Sequence, residues 1–371
     1  MRVSLFFLHL SLLLSSLCSF QTTIFQNINK KSPNENVIVS PLSIFQILSL
    51  TANGAKSSTL DGMLKALGED SVKRLNAINR EIIDAEKDVK TVEVTNAVMT
   101  RFLPLLPFVS AAKEYAASLQ PLTTVGEVNN WCKAKTHGKI NKILDRLDAN
   151  TAMILLNAVY FKGKWTKPFE KDDTVEKDFY NFGANPVKVE MMRMKGKMAY
   201  FEDSTVQVLK KDYVDDNISA VFILPNKAVN INTFIAKITD ERLEEYYSKL
   251  KNVKVELEVP KVELEFSGDL DEILRSLGMQ EAYSDNADFG KMTNNNDIRI
   301  NKVIHKTYLK VDEDGTEAAA VTAVVMNFKS MAPREEIVYK MHINRPFVLL
   351  LLDEKLPKKY NLLFMAKVEK L

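Results

Sequence analysis

Cysteine is nearly missing: the 371 residues contain two, Cys18 and Cys132. If Cys18 leaves with a cleaved leader, Cys132 is alone and no intramolecular disulfide can form. The fold must then be held by its core. Histidine is also scarce, and the three beyond the leader, His137, His305 and His342, have no paired spacing that would seat a metal. Glycine is sparse, and no glycine-rich phosphate loop or nucleophile elbow occurs. An excess of one charge is lacking too. The net charge is +2 with both signs interspersed, so nothing in the electrostatics suggests nucleic acid as a partner. Nothing after the N-terminus is apolar for the ~20 residues that a membrane-spanning helix needs. Neither an enzyme nor a membrane protein has positive support.

The N-terminus is distinctive. Arg2 precedes an almost wholly apolar run, Val3 to Leu17, with the small residues Ser16, Cys18 and Ser19 at its end. This is the layout of a secretory signal peptide over 1–19, and it predicts a secreted, extracellular chain beginning near residue 20. Asn217-Ile218-Ser219 is then an acceptor sequon before an apolar run, which predicts a glycosylated Asn217 on a loop.

The pattern downstream predicts helices first and strands later. Phe20 to Lys31 reads as a helix stopped near Ser32-Pro33. Ser40-Pro41-Leu42-Ser43 opens another, with Ser40 as cap candidate and Pro41 suited to the first turn. Ser57 to Leu67 should end at Gly68. Glu127 to Leu147 is expected to be helical, with Gly138 as a weak point. Ala152 to Phe161 is apolar except for Asn157, as in a strand covered on both faces. Val253 to Phe266 alternates and predicts one half-exposed strand. No linker or repeat appears, so the class is α+β.

One stretch resists that ordinary description. Val311 to Arg334 begins acidic, turns at Gly315 and then runs through small and β-branched residues to Lys329-Ser330. In an extended segment Thr316, Ala318, Ala320, Thr322, Val324 and Met326 share an uncharged face that begins small, while Glu317 and Asn327 fall on the other side. Such a face can enter a sheet. The same stretch also suits an exposed loop.

Five ordered motifs carry a family resemblance from about Phe20 onward. They are Asn36 to Ile44 with its Ser-Pro-Leu-Ser core, Leu156 to Trp165 followed by Pro168-Phe169, Asp285 to Asp288, His305-Lys306 leading to Asp312–Ala320, and Asn344 to Val348. Together they resemble the serpins, inhibitors of serine proteases. The resemblance implies one domain over 20–371 with three β-sheets, about eight or nine helices and an exposed reactive-centre loop at about 314–340. It also implies a mechanism. A protease attacks the loop, an acyl-enzyme forms, and the cleaved loop inserts into the central sheet before release.

The same resemblance assigns roles. Gly315, Thr316, Glu317, Ala318, Ala319, Ala320, Val321 and Thr322 form the hinge, with Val321 a mild departure from alanine. The reactive bond falls at Lys329–Ser330, with Phe328 as an adjoining subsite. A lysine there predicts a trypsin-like serine protease as covalent partner. The stretch from Ser330 to Phe347 is longer than in many relatives, which leaves Arg334, Phe328 and Met331 as alternative sites. Ser40, Ser43, Asn157 and His305 are expected beneath the sheet where it parts. Trp165 is expected where the loop enters, with Lys261 pairing Glu313 at that end. The mixed charges around Leu75 to Lys90 argue against a heparin-like polyanion site. No cofactor is implied. The expected state is a monomer prone to loop–sheet polymers. A serpin-fold carrier or chaperone is the alternative. Between Tyr115 and Val128 the chain is shorter than usual, so trimming of an edge strand or of the helix crossing the sheet is expected.

Overall fold

The computed structural model describes residues 19–371 apart from 88–90, 137, 139–140, 215–216, 296 and 316–336. Its strands in chain order are β1 (Val37–Val39), β2 (Val92–Thr100), β3 (Ser118–Pro121), β4 (Met153–Phe161), β5 (Val175–Asn181), β6 (Asn185–Glu202) and β7 (Val206–Asp212). Then follow β8 (Ile218–Pro225), β9 (Lys251–Pro260), β10 (Val262–Asp269), β11 (Lys302–Val311), β12 (Val338–His342), β13 (Phe347–Asp353) and β14 (Leu362–Val368). Among the described residues nine segments are α-helical, the first two long ones being Phe20–Lys31 and Pro41–Gly54.

Local chemistry explains most boundaries. The helix Phe20–Lys31 stops as predicted, with Lys30 and Lys31 on its last turn, where cations suit the helix dipole. The helix Ser57–Leu67 ends because Gly68 takes φ 69°, a left-handed turn that lets Glu69 N–H reach Leu64 O at 3.1 Å. Ser40 does stand at the N-cap of Pro41–Gly54, but its side chain makes no capping hydrogen bond.

Two sheets organise the molecule. One has five strands in the order β10-β11-β4-β2-β3. The other runs β1-β14-β13-β8-β7-β6-β9-β12, with β5 also on β6. The 18-residue β6 joins two sheets within this array: its first part pairs β5 and its last residues pair β7. Three sheets therefore exist, two of them sharing a strand.

β4 is buried along its whole length. Met153, Leu155, Val159 and Phe161 face the main core, which also takes the helix Pro41–Gly54 and strands β13 and β14. Ile154, Leu156 and Ala158 face a second cluster under the helix Val125–Lys135, built with Val128, Cys132, Leu122 and Leu144. Cys132 is free and buried, and burial pushes its thiol up to about 11, so it behaves as a small apolar side chain.

Three expectations need correction. The helix over Glu127 to Leu147 ends at Lys135, because Gly138 adopts φ 78° and its N–H bonds Lys133 O at 2.9 Å. The alternating stretch Val253 to Phe266 is two strands in two sheets, broken at Lys261. Val338 to Lys340, expected in the loop, belong to β12, because they pair in parallel with β9. The short stretch after Tyr115 keeps both elements: β3 spans four residues and the helix that follows spans eleven.

A seam between two parallel strands as the candidate functional site

The five-stranded sheet has a seam. β4 and β11 are neighbours and run parallel, in register from Lys302 opposite Ile154 to Leu309 opposite Phe161. Outside the pair, β10 and β2 are antiparallel to β11 and β4. The chain leaves β11 at Val311 and turns at once through Asp312 to Gly315.

Gly315 is forced to be glycine. It holds φ +136°, and a Cβ there would lie 2.1 Å from Gly163 O and 2.6 Å from Lys164 Cα. That approach forms an antiparallel bridge between Gly315 and Lys164, three residues beyond the end of β4. The chain after β11 has thus already reversed and paired at the upper end of the seam.

This end is braced in several ways. Trp165 N–H donates to Asp314 O at 3.0 Å, and its indole Nε1 donates to Asp312 O at 3.0 Å. Phe169 N–H donates to Glu313 O at 2.8 Å. The Glu313 carboxylate receives Lys261 Nζ at 2.8 Å and Thr174 Oγ1 at 2.7 Å. Burial opposes the charge on Glu313, but these hydrogen bonds outweigh it and hold its carboxyl below the ordinary value. Lys261 also pairs with Glu190 at 2.9 Å.

Sequence reasoning missed Lys211. Its amine bonds Lys167 O and lies 5.0 Å from the Trp165 ring and 4.8 Å from the Phe169 ring. Burial pulls it down to about 7. Trp165 in turn stacks on Tyr213, centroids 4.1 Å apart. The available signal was alternation: Leu209, Lys211 and Tyr213 fall on one side of β7 and its continuation, and all three are buried.

Lower on the seam, the four predicted residues meet. His305 is fully buried, and its Nε2 accepts from Ser40 N–H at 3.0 Å. Nδ1 therefore carries the proton, which it donates to Asn157 Oδ1. Ser43 Oγ lies 2.8 Å from Asn157 Oδ1 and 3.0 Å from Ser40 O. Asn157 Nδ2 donates to Asn96 Oδ1 at 2.6 Å, and Thr307 Oγ1 donates to Ile38 O at 2.9 Å. Burial pushes the imidazole down to about 3, so it is neutral at physiological pH. Ser40 takes part through its backbone. Asn96 and Thr307 escaped notice because each is an ordinary polar residue within a strand. Only the register, which sets Asn96 opposite Asn157, makes the first meaningful.

The remaining predicted residues divide. Asn217 lies in the turn just before β8, and Ser219 of its sequon is buried and bonded to Glu354. Residues 1–18 of the leader, Thr316 to Thr322, Phe328, Lys329, Ser330, Met331 and Arg334 lie outside the described residues. None of the described helices is long and apolar enough to cross a membrane.

The fold and the seam define an α+β protein in which a long connection leaves the top of a parallel pair at the middle of its central sheet. A family model described as "Serpin (serine protease inhibitor)" matches residues 15–371. Leukocyte elastase inhibitor A of Mus musculus is 31% identical over 375 residues, covering 94% of this chain and 97% of the relative. The native state of the thermophilic serpin tengpin superposes with a TM-score of 0.84 at 31% identity, covering 95% and 92%. Human thyroxine-binding globulin with its ligand superposes at 0.86 with 27% identity, covering 95% and 96%. The chain belongs to the serpin family.

Proposed function

We propose that the protein is a secreted suicide inhibitor of a trypsin-like serine protease. The bridge between Gly315 and Lys164 carries this reading. A strand that continues from Gly315 between β4 and β11 runs antiparallel to both. Insertion then replaces one parallel ladder with two antiparallel ones, which are slightly stronger per residue and more numerous. The uncut fold sits above that minimum, and only the barrier to opening the seam preserves it. The small residues Thr316, Ala318, Ala320 and Thr322 support the reading, since from Thr316 to Thr322 no bulky or charged side chain obstructs the inserting face. Lys329 supports a target with an acidic specificity pocket, the bond being Lys329–Ser330 with Phe328 beside it.

The resemblance to thyroxine-binding globulin supports a second reading, a serpin-fold carrier that does not trap a protease. Incubation with trypsin separates the two. A covalent complex that survives denaturing electrophoresis, with release of a C-terminal peptide beginning at Ser330, is the expected result. Simple cleavage with fully active trypsin would discard the inhibitory reading. A trapped complex whose released peptide begins at Glu335 would move the bond to Arg334 but keep the mechanism. Secretion and glycosylation at Asn217 are read from the size and the N-terminal residue of the mature chain.

A further inference from the structure

Among the described residues, the strand that follows the loop, β12, stands at the edge of its sheet with β9 as its ladder partner. His342 at its end stands opposite Glu258, two pairs along from Lys340 opposite Glu256. His342 Nδ1 lies 3.7 Å from Glu258 Oε2, and Nε2 lies 3.6 Å from Glu256 Oε1. One ligand atom from each of the three residues lies within 4.8 Å of the others.

Two further observations point to a ligand. The His342 side chain is 37% exposed, but its Nε2 atom is closed to solvent and makes no hydrogen bond among the described residues, Glu256 Oε1 lying 3.6 Å away. A cleft of about 320 Å³ opens beside two of the three, Glu258 and His342, and is lined also by Glu176, Lys177 and Asn344. Glu258 is itself buried, 4% exposed. Lys177 and Arg193 both bond its Oε1, which orients the carboxylate and leaves Oε2 facing the imidazole. Hydrogen-bonded carboxylates of this kind are common in metal sites.

We infer that Glu256, Glu258 and His342 form a binding site for one divalent transition-metal ion of the zinc class, which staples β12 to β9. An imidazole with two carboxylates suits zinc better than calcium, which takes oxygen ligands. Three protein ligands leave a fourth position for water, and the cleft provides the room. The nearby cations Lys177, Arg193, Lys195 and Lys340 weaken the attraction, so the site is weaker than a closed structural zinc site. The consequence is mechanical. Metal on this trio ties the downstream end of the loop to a strand inside the sheet, and so opposes release of β12. The inference is independent of the inhibitory reading.

The test is zinc titration of the metal-stripped full-length protein by calorimetry, with thermal melting as a second readout. Wild type is expected to take up one zinc per chain and to melt higher in excess zinc. H342N and E256Q are each expected to lose at least about tenfold in affinity and most of the melting shift. E176Q, on the cleft wall outside the trio, is expected to retain both. Absence of stoichiometric uptake by wild type would overturn the inference. So would uptake that both trio variants preserve.

Discussion

The two ends of the seam close the same pair of strands by opposite means. The upper end uses charge and aromatic faces: Lys261 on Glu313, Trp165 on Tyr213, and Lys211 beside Trp165 and Phe169. Lys261 is 31% exposed while Glu313 is buried, so water reaches the lysine side of this ion pair. The lower cluster uses neutral groups only, Ser43, Asn157, Asn96 and His305, all of them buried. The contrast teaches where opening begins. A half-wet ion pair separates into water at modest cost, whereas a buried neutral network must give up every hydrogen bond without replacement. The seam should therefore part first at Gly315 and be limited by the Asn157–His305 cluster.

The largest effect is expected from Asn157→Ala. It leaves the His305 Nδ1–H and Asn96 Oδ1 without their buried partner, while the Ser43 hydroxyl keeps Ser40 O, at about 1–3 kcal/mol for each unsatisfied group. The melting temperature should fall steeply and spontaneous loop insertion should accelerate. A variant that melts like wild type would remove the cluster as the barrier. Gly315→Ala comes next, at about 1–3 kcal/mol for backbone strain, with further cost from the contact with Gly163 O. Its expected signature is loss of stability without faster insertion, because the first rung of pairing is the part that fails.

Acid separates the two ends more finely. The His305 imidazole is held down at about 3 in the fold, against an ordinary value of 6.5. The unfolded chain therefore takes up this proton first as pH falls. The stabilisation is complete above about pH 6.5 and declines by about 1.4 kcal/mol per pH unit on the way down to about 3. Between about pH 7 and about pH 5 this amounts to about 2 kcal/mol, and His305→Gln should flatten that part of the stability profile. An unchanged profile would show that the cluster does not sense pH. The smallest effect belongs to Glu313→Gln. The partial exposure of Lys261 limits the loss to about 1 kcal/mol, and high salt should shrink the difference from wild type. Persistence of the full difference in about 1 M salt would contradict the assignment of a wet upper end.

Much of this was legible in the chain. The covered strand β4 followed from an apolar run broken only by Asn157, and the stop at Gly68 followed from glycine's freedom at a helix end. The four seam residues were located through the motifs that resemble the serpins, because those motifs carry Ser40, Ser43, Asn157 and His305 in their own text. Lys211 and Asn96 were not, since nothing local distinguishes a lysine or asparagine that points inward. The single strand expected over Val253 to Phe266 failed for a related reason: alternation persists through Lys261, although the chain there passes from one sheet to another.

Sequence by itself determined the class, the strand and helix types, and the glycine at the turn, because these depend on short-range sterics and on the periodicity of apolar residues. Tertiary structure alone decided that β4 and β11 run side by side and parallel, that Gly315 meets Lys164, and that Glu256, Glu258 and His342 share one face. Those facts depend on pairing between strands far apart in the chain. Register across such a pairing is set by the packing of whole sheets, and no local pattern encodes it.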